Sequence, residues 1–300
     1  MNEAREPSTP RTLGSLGQVG PLSFGCWRLT GSDSANSRVI SAAIDTGMNL
    51  VDNADVYGLD WGGTHFGACE EALGRVLAAM PGLRNKIVLA TKGGIIPGVP
   101  YDSSSRYLIK ACEASLSRLG VDHVDLYQIH RPDHYAHPQE IATAFESLRS
   151  RGLVREFGVS NYTPSQISAL NSFMEQGLVS VQPQFSANHL DPMRDGTFDL
   201  CQESSLTPLA WSPLAGGALA TGVGIRSELI AILDDLAIRE SVTRSAVAIA
   251  FVLAHPAQPV AIIGTQNVTR IGELSRSTKI SLSRTDLYNI IQASDGGPLP

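Results

Sequence analysis

Residues 121–164 read VDHVDLYQIHRPDHYAHPQEIATAFESLRSRGLVREFGVSNYTP and hold one complete strand–helix–strand unit. Val124–His130 is a short apolar run of strand length, and Glu156–Ser160 is a second. Between them Pro138 opens a helical stretch and Gly152 closes it, the usual placing of proline at a helix start and glycine past its end. Pro164 opens the next helix, with Gly177 after it. Two strands joined through a helix are parallel neighbours with a right-handed crossover.

The same unit recurs in both directions. Further apolar runs lie at Leu22–Cys26, Met48–Asp52, Ile87–Lys92, Val179–Gln182, Leu209–Ser212 and Val260–Gly264. Amphipathic stretches separate them. In Ser103–Leu119, for example, Leu108, Cys112, Leu116 and Leu119 share one face, Asp102 or Ser103 is placed to cap the start, and Gly120 to end it. An open doubly wound sheet and a closed barrel both fit such alternation. The count of eight strands favours closure, and no glycine-rich phosphate loop follows the first strand, as an open dinucleotide-binding sheet would carry. The expected fold is therefore an α/β (β/α)8 TIM barrel. A hairpin over Thr12–Gly20 precedes it, and a last helix spans Ser283–Ala293. Residues 1–11, polar and proline-containing, read as a disordered tail, and 12–300 as a single barrel domain. The glycine-rich stretches Gly93–Gly98 and Gly216–Gly224 read as strand-to-helix loops.

A 300-residue chain suits one such barrel, since about 250 residues are typical. With 43% hydrophobic and 17% charged residues it can bury a large core. The net charge of −6 speaks against a nucleic-acid or anionic-membrane surface as its main partner. No run reaches transmembrane length, and the N-terminus lacks a secretory apolar core, so a cytoplasmic location is expected. Cys26, Cys69, Cys112 and Cys201 have neither metal-ligand nor redox spacing and read as small buried hydrophobes.

Side chains two apart on a strand share a face. Asp52 thus faces with Leu50, Lys92 with Ala90, and His130 with Gln128 and Leu126. Three titratable residues end three different strands, at the end where barrels of this type build active sites. Tyr57 lies in the loop five residues past Asp52. A free phenol has a pKa of about 10, too weak an acid for neutral pH, and a nearby ammonium lowers it. Asp52 would hold Lys92 in place and charged, while His130 could orient a carbonyl oxygen. Hydride must come from a cofactor, because no side chain supplies it. Taken singly each residue has a plainer reading: a turn-forming Asp, a solvated Lys, a core His, a packing Tyr.

The segments DNADVYG (52–58), TKGG (91–94), DLYQIHRP (125–132) and GVSNYTP (158–164) closely resemble the signatures of the aldo-keto reductases, in order and spacing, from about residue 12 onward. GCWRL (25–29), IHRPD (129–133), GTFDL (196–200), AWSPLAGGAL (210–219) and AIIGT (261–265) resemble a bacterial oxidoreductase subgroup of that family. The resemblance implies reduction of aldehydes and ketones with NADP(H), and a catalytic set of Asp52, Tyr57, Lys92 and His130, none replaced. It further implies that Ser160, Asn161 and Gln182 hold the nicotinamide carboxamide and that Trp211 stacks on its ring, where the family usually has tyrosine. Ser212 and Leu214 fall at the pyrophosphate, and Thr265 and Arg270 at the adenosine 2′-phosphate; apart from the resemblance, Gly216 and Gly217 could let backbone approach the cofactor phosphates, or are simply a flexible loop. Gly264 replaces the lysine common before that Ser/Thr, and Leu274 replaces an asparagine near the adenine. One cation, Arg270, stands where two are frequent. NADP(H) remains the preferred cofactor, with NAD(H) as the alternative.

Trp27, Trp61, His65 and Arg131 are the candidates for the substrate pocket, and the three tryptophans point to an apolar or aromatic substrate. Glu70 and Glu71 read as the acidic first turn of a helix. His130, His134 and His137 lack zinc spacing, so no metal is expected. The expected partner is a small carbonyl compound, with the chain a monomer or weak homo-oligomer. Two other function classes fit the fold: a cofactor-sensing regulatory subunit, which the same barrel forms in certain potassium channels, and a metal-assisted hydrolase.

Overall fold

The computed structural model describes residues 6–59 and 62–299. A two-strand hairpin comes first, β1 (Arg11–Thr12) paired antiparallel with β2 (Gln18–Val19). The barrel begins with β3 (Leu22–Gly25), α1 (Asp33–Asp45), β4 (Leu50–Asp52), α2 (Ala68–Ala79), β5 (Val88–Gly93) and α3 (Ser105–Leu119). It continues with β6 (Val124–Ile129), α4 (Pro138–Ser150), β7 (Val154–Ser160), α5 (Pro164–Asn171), β8 (Ser180–Gln182), α6 (Thr197–Ser204) and β9 (Thr207–Ala210). The helices α7 (Ala218–Thr221), α8 (Ser227–Glu240) and α9 (Arg244–Leu253) precede β10 (Val260–Ile263), and α10 (Val268–Ser275) and α11 (Arg284–Asp295) end the chain. Strands β3 to β10 are parallel to their neighbours and close into a barrel, β10 pairing with β3. All eight strands fall where the apolar runs place them, within two residues at most ends.

The caps explain the helix boundaries. Ser104, rather than Asp102 or Ser103, caps α3, accepting from the Tyr107 N–H, and Gly120 ends that helix in the left-handed region. Asp102 instead accepts from the Ser104 N–H and so shapes the turn before the cap. Pro164 opens α5 behind a capping box of Thr163 and Gln166. That helix stops at Asn171, well before Gly177, because the Asn171 side chain accepts the Leu178 N–H and turns the chain toward β8.

Two apolar layers follow from strand alternation. The outward residues pack under the helices in one large core. The inward ones, Leu50, Ala90, Leu126, Leu209, Val260 and Ile262, fill the barrel floor with Leu13 and Val19 of the hairpin. The hairpin is thus a plug, tied down by Thr207 Oγ1 donating to the Thr12 carbonyl (2.6 Å) and by the Gly20 N–H donating to Asn49 (2.8 Å). Arg11, expected in the tail, is buried in β1 because it starts this plug. Residues 1–5 of that tail lie outside the described residues. Among the described residues no helix is long and apolar enough to cross a membrane.

Candidate active site

Directly above the apolar floor the inward positions turn polar. Leu50 gives way to Asp52, Ala90 to Lys92 and Leu126 to Gln128, each two residues on. In the register Asp52 lies opposite Ala90, two residues before Lys92, and Lys92 lies opposite Gln128, so the side chains meet across the inner face. Lys92 is fully buried, and its Nζ donates to Asp52 Oδ2 (2.6 Å) and to the Asn53 carbonyl (2.8 Å). Asp52 Oδ1 accepts from the amides of Gln128 (3.2 Å) and Gln182 (3.1 Å). The carboxylate is therefore saturated and fixed by three strands.

Tyr57 reaches this pair because its loop is sewn to β5. The Asn53 N–H donates to the Ala90 carbonyl and the Asp55 N–H to the Lys92 carbonyl, both at 2.9 Å. Gly58 then turns the chain at φ +115°, where a Cβ would lie 2.6 Å from the Ala68 Cβ and from the His65 carbonyl oxygen. Glycine is the residue such a turn tolerates. Lys92 Nζ sits 5.1 Å from the Tyr57 ring centroid, and the His130 ring meets Tyr57 edge-on at 5.6 Å. The four residues singled out in the sequence thus share one neighbourhood.

Their electrostatics differ from expectation in one respect. From charge alone, Lys92 is expected to pull the phenol below its ordinary value. Burial instead dominates and pushes Tyr57 up to about 12, with Lys92 opposing and Asp52 adding to the rise. For Lys92, burial disfavours the ammonium, but Asp52 and Tyr57 outweigh it, and its pKa is raised. His130 is driven well below the ordinary imidazole value by burial, then by the charges of Lys92 and Arg131. At neutral pH the site therefore holds a neutral phenol, an ammonium and a neutral imidazole. The buried His130 Nδ1 has no hydrogen-bond partner.

A cavity of about 1280 Å³ opens over these groups. Its wall includes Asp52, Tyr57, His130, Ser160, Asn161, Gln182, Trp211, Ser212, Leu214, Gly216, Gly264, Thr265 and Arg270, together with Trp27 and Arg131. Asn161, at φ +59°, orients the indole: its Oδ1 accepts from Trp211 Nε1 (3.0 Å) while its amide donates to the His130 carbonyl and to Ser160. The loop after β9 crosses the opening, and Arg28 reaches the Gly216 carbonyl over it (3.5 Å).

Several expectations need correction. His65 does not face the cavity: it is exposed and hydrogen-bonds Thr64 and Glu71, a loop clasp at the start of α2. Trp61 lies outside the described residues. Glu70 is more than an acidic first turn. It is fully buried, accepting from Thr91 Oγ1 and from Arg118 Nε (2.7 Å), and so ties α2 to β5 and α3. The histidines after β6 do not converge, since His137 caps α4 and packs on Phe173. Among the described residues no group of three or more His, Cys, Asp or Glu could hold a metal. All four cysteines are buried, and burial pushes Cys112 and Cys201 up to about 12.

Sequence reasoning missed Gln128 as a holder of Asp52, although it shares the inward face with His130. It also missed Val56, Leu59, Ile95 and Arg244 on the cavity wall. These come from loops and a helix start, where no periodic signal exists.

The profile described as the Aldo/keto reductase family matches residues 21–295. Among curated proteins the chain is 44% identical to a 6-dehydroglucose reductase of Novosphingobium aromaticivorans, over 100% of both chains. It is 33% identical to Oxidoreductase YdhF of Escherichia coli, over 92% of this chain and 94% of the relative, in keeping with the bacterial subgroup its motifs resemble. A glycerol dehydrogenase structure from Gluconobacter oxydans superposes with a TM-score of 0.83 at 24% identity, covering 98% of each chain, and shows the same fold. An eight-stranded barrel with this buried ion pair at its mouth, and likeness of this extent, place the chain in the aldo/keto reductase family, as an NAD(P)H-dependent oxidoreductase.

Proposed function

We propose that this enzyme reduces aldehydes and ketones to alcohols with NADP(H), and that Tyr57 gives the proton. The observation that carries the reading is the Lys92 ammonium, clamped between Asp52 and the Asn53 carbonyl beside the Tyr57 ring.

The cavity suits a nicotinamide dinucleotide. Trp211 offers a flat indole face already locked by Asn161. Gly216 and Gly217, at φ +69° and +107°, let backbone approach a phosphate closely. Ser160, Asn161 and Gln182 lie beside the indole for the carboxamide, and Ser212 and Leu214 follow it toward the pyrophosphate. Thr265 and Arg270 also line the cavity, and Arg270 would be the cation for a 2′-phosphate. When bound, the nicotinamide supplies hydride to the carbonyl carbon.

The protein's own groups handle the oxygen. A neutral His130 carries one N–H, and its ring has no hydrogen-bond partner among the described residues, so it can donate to the carbonyl oxygen and orient it. Tyr57, fully protonated at neutral pH, gives its proton as negative charge builds on that oxygen. Lys92 then stands beside the phenolate it leaves, and Asp52 keeps Lys92 charged throughout. Trp27 and Arg131 border the substrate space. The Novosphingobium relative's name brings sugar aldehydes into the substrate class to be tested. The protein acts as a monomer or weak homo-oligomer in the cytoplasm.

The test follows nicotinamide absorbance with NADPH and NADH across aldehydes, ketones and sugar aldehydes. Turnover is expected with NADPH, and Tyr57→Phe should lose about 10²-fold or more in kcat while still quenching NADPH fluorescence. A Tyr57→Phe enzyme of full activity would remove the assigned proton donor.

A further inference from the structure

The polar side chains beneath the cavity are all turned in one sense. Asp52 Oδ1 accepts from Gln128 Nε2 (3.2 Å) and from Gln182 Nε2 (3.1 Å). An ionised carboxylate, here paired to Lys92 at 2.6 Å, has no hydrogen to give, so both glutamines turn their nitrogen toward it. Gln128 Oε1 then takes the other N–H of Gln182 (3.3 Å). Gln182 Nε2 has no hydrogen left to offer, and no donor among the described residues reaches its Oε1.

Asn161 is fixed by the same logic, since a carbonyl only accepts and an indole N–H only donates. Its Nδ2 donates to the His130 carbonyl (3.3 Å) and to Ser160 Oγ (2.8 Å), and its Oδ1 accepts from Trp211 Nε1 (3.0 Å). Ser160 gives its own hydroxyl hydrogen to the Gln182 carbonyl (2.9 Å). All three residues border the cavity, with Ser160 and Gln182 almost wholly buried. Every side-chain donor they own is spent inside the protein. What they have left is Gln182 Oε1 and one lone pair each on Asn161 Oδ1 and Ser160 Oγ. A ligand without an N–H to offer leaves such acceptors unpaired, which costs affinity.

We propose that Asp52, besides holding Lys92, sets the hydrogen-bond polarity of the subsite formed by Ser160, Asn161 and Gln182, so that this subsite accepts and does not donate. It recognises its ligand by an NH2 group and makes no bond to the neighbouring carbonyl oxygen. Asp52 acts here through Gln182, with Gln128 as the second acceptor that keeps the Gln182 amide from turning. The inference rests on reading this subsite as the seat of the nicotinamide carboxamide, and says which half of the carboxamide is read.

The experiment measures dissociation constants by calorimetric titration with NADP+, its 3-acetylpyridine analogue and its thionicotinamide analogue. The acetylpyridine analogue has a methyl group in place of the NH2 and keeps the carbonyl oxygen. The thionicotinamide analogue keeps the NH2 and has sulfur in place of that oxygen. The wild type should bind the thionicotinamide analogue within about threefold of NADP+, and the acetylpyridine analogue about tenfold or more weaker. In Asp52→Asn the amide at 52 donates as well as accepts, so Gln182 is free to turn, and the acetylpyridine margin should shrink to about threefold or less. Should Asp52→Asn fail to fold, the double variant Asp52→Asn/Lys92→Met, with both buried charges gone, carries the same comparison. A wild type that binds the acetylpyridine analogue as tightly as NADP+, or that loses more on the thionicotinamide analogue, overturns the acceptor-only polarity. A margin unchanged in the Asp52 variants overturns Asp52 as its source. Both results leave the cofactor reading standing. Binding of none of the three nucleotides is the separate failure of that reading, and it overturns this proposal as well.

Discussion

Replacing Lys92 by Met tests stability and chemistry separately. The ammonium and the Asp52 carboxylate are 2.6 Å apart with almost no solvent exposure. At an effective dielectric constant near 20 their attraction is about 6 kcal/mol. Desolvation of both charges offsets much of this, so the net worth of the pair is smaller. Removing Lys92 alone, however, leaves Asp52 buried with only two amide donors, both on Oδ1. Orphaning a buried charge in this way costs about 3–5 kcal/mol. For a chain of this size that is a fall in Tm of roughly 10 °C. The double variant Asp52→Asn/Lys92→Met removes both charges and should recover about half of the loss or more, since neutral replacement of a buried pair is often tolerated. Activity should behave otherwise: with no ammonium beside Tyr57, both variants should stay about 10²-fold or more below wild type. Thermal melts of the full double-mutant cycle, together with NADPH oxidation, read both quantities. If Lys92→Met melts like wild type, the pair is not coupled as its geometry implies. If the double variant regains activity with stability, Lys92 acts only in folding.

Three further outcomes follow from the same structure. His130 has a folded-state pKa held well below the ordinary 6.5, so the unfolded chain binds more protons in that window. Its stability contribution is complete above pH ~6.5 and is lost as pH falls; His255, lowered to about 4 by burial, acts in the same direction, and urea melts from pH 8 to 4 should show the decline. Asp55 is buried with neither carboxylate oxygen hydrogen-bonded, and burial followed by the charge of Glu70 raises its pKa well above the ordinary range. A raised carboxyl costs stability as pH climbs above its unfolded value, so Asp55→Asn should raise Tm at pH 8, with the gain shrinking toward pH 4. A Cβ at Gly264 meets no atom within 4 Å, so Gly264→Lys has room to add a second cation near Arg270. It should raise the NADPH-to-NADH ratio of kcat/KM by about tenfold, and an unchanged ratio would place the 2′-phosphate elsewhere.

What was legible in the sequence divides along a physical line. Strand period and strand ends are local, so Asp52, Lys92 and His130 could be set on inward faces from spacing alone, and the fold followed from counting units. The sign of the Tyr57 shift was not legible, because it depends on a balance between desolvation and the Lys92 charge, and burial belongs to the assembled mouth. Glu70 is a similar case: its neighbours in sequence make it a helix-start acid, while Thr91 and Arg118, brought by β5 and α3, make it a buried tie.

The same line explains why substrate choice could not be read. His65 and Arg131 entered as equal candidates from two loops. One is drawn into a solvent-facing clasp with Glu71, and the other is laid across Trp211, which itself depends on Asn161 for its orientation. That chain of contacts joins residues from three loops, after β6, β7 and β9. A pairing code along any one strand cannot record it. Arg131 follows the polar layer directly, and its surroundings are set by closure of the barrel. The chemistry common to the fold is therefore written at the strand ends, and what this chain acts on is written in how the loops between them meet.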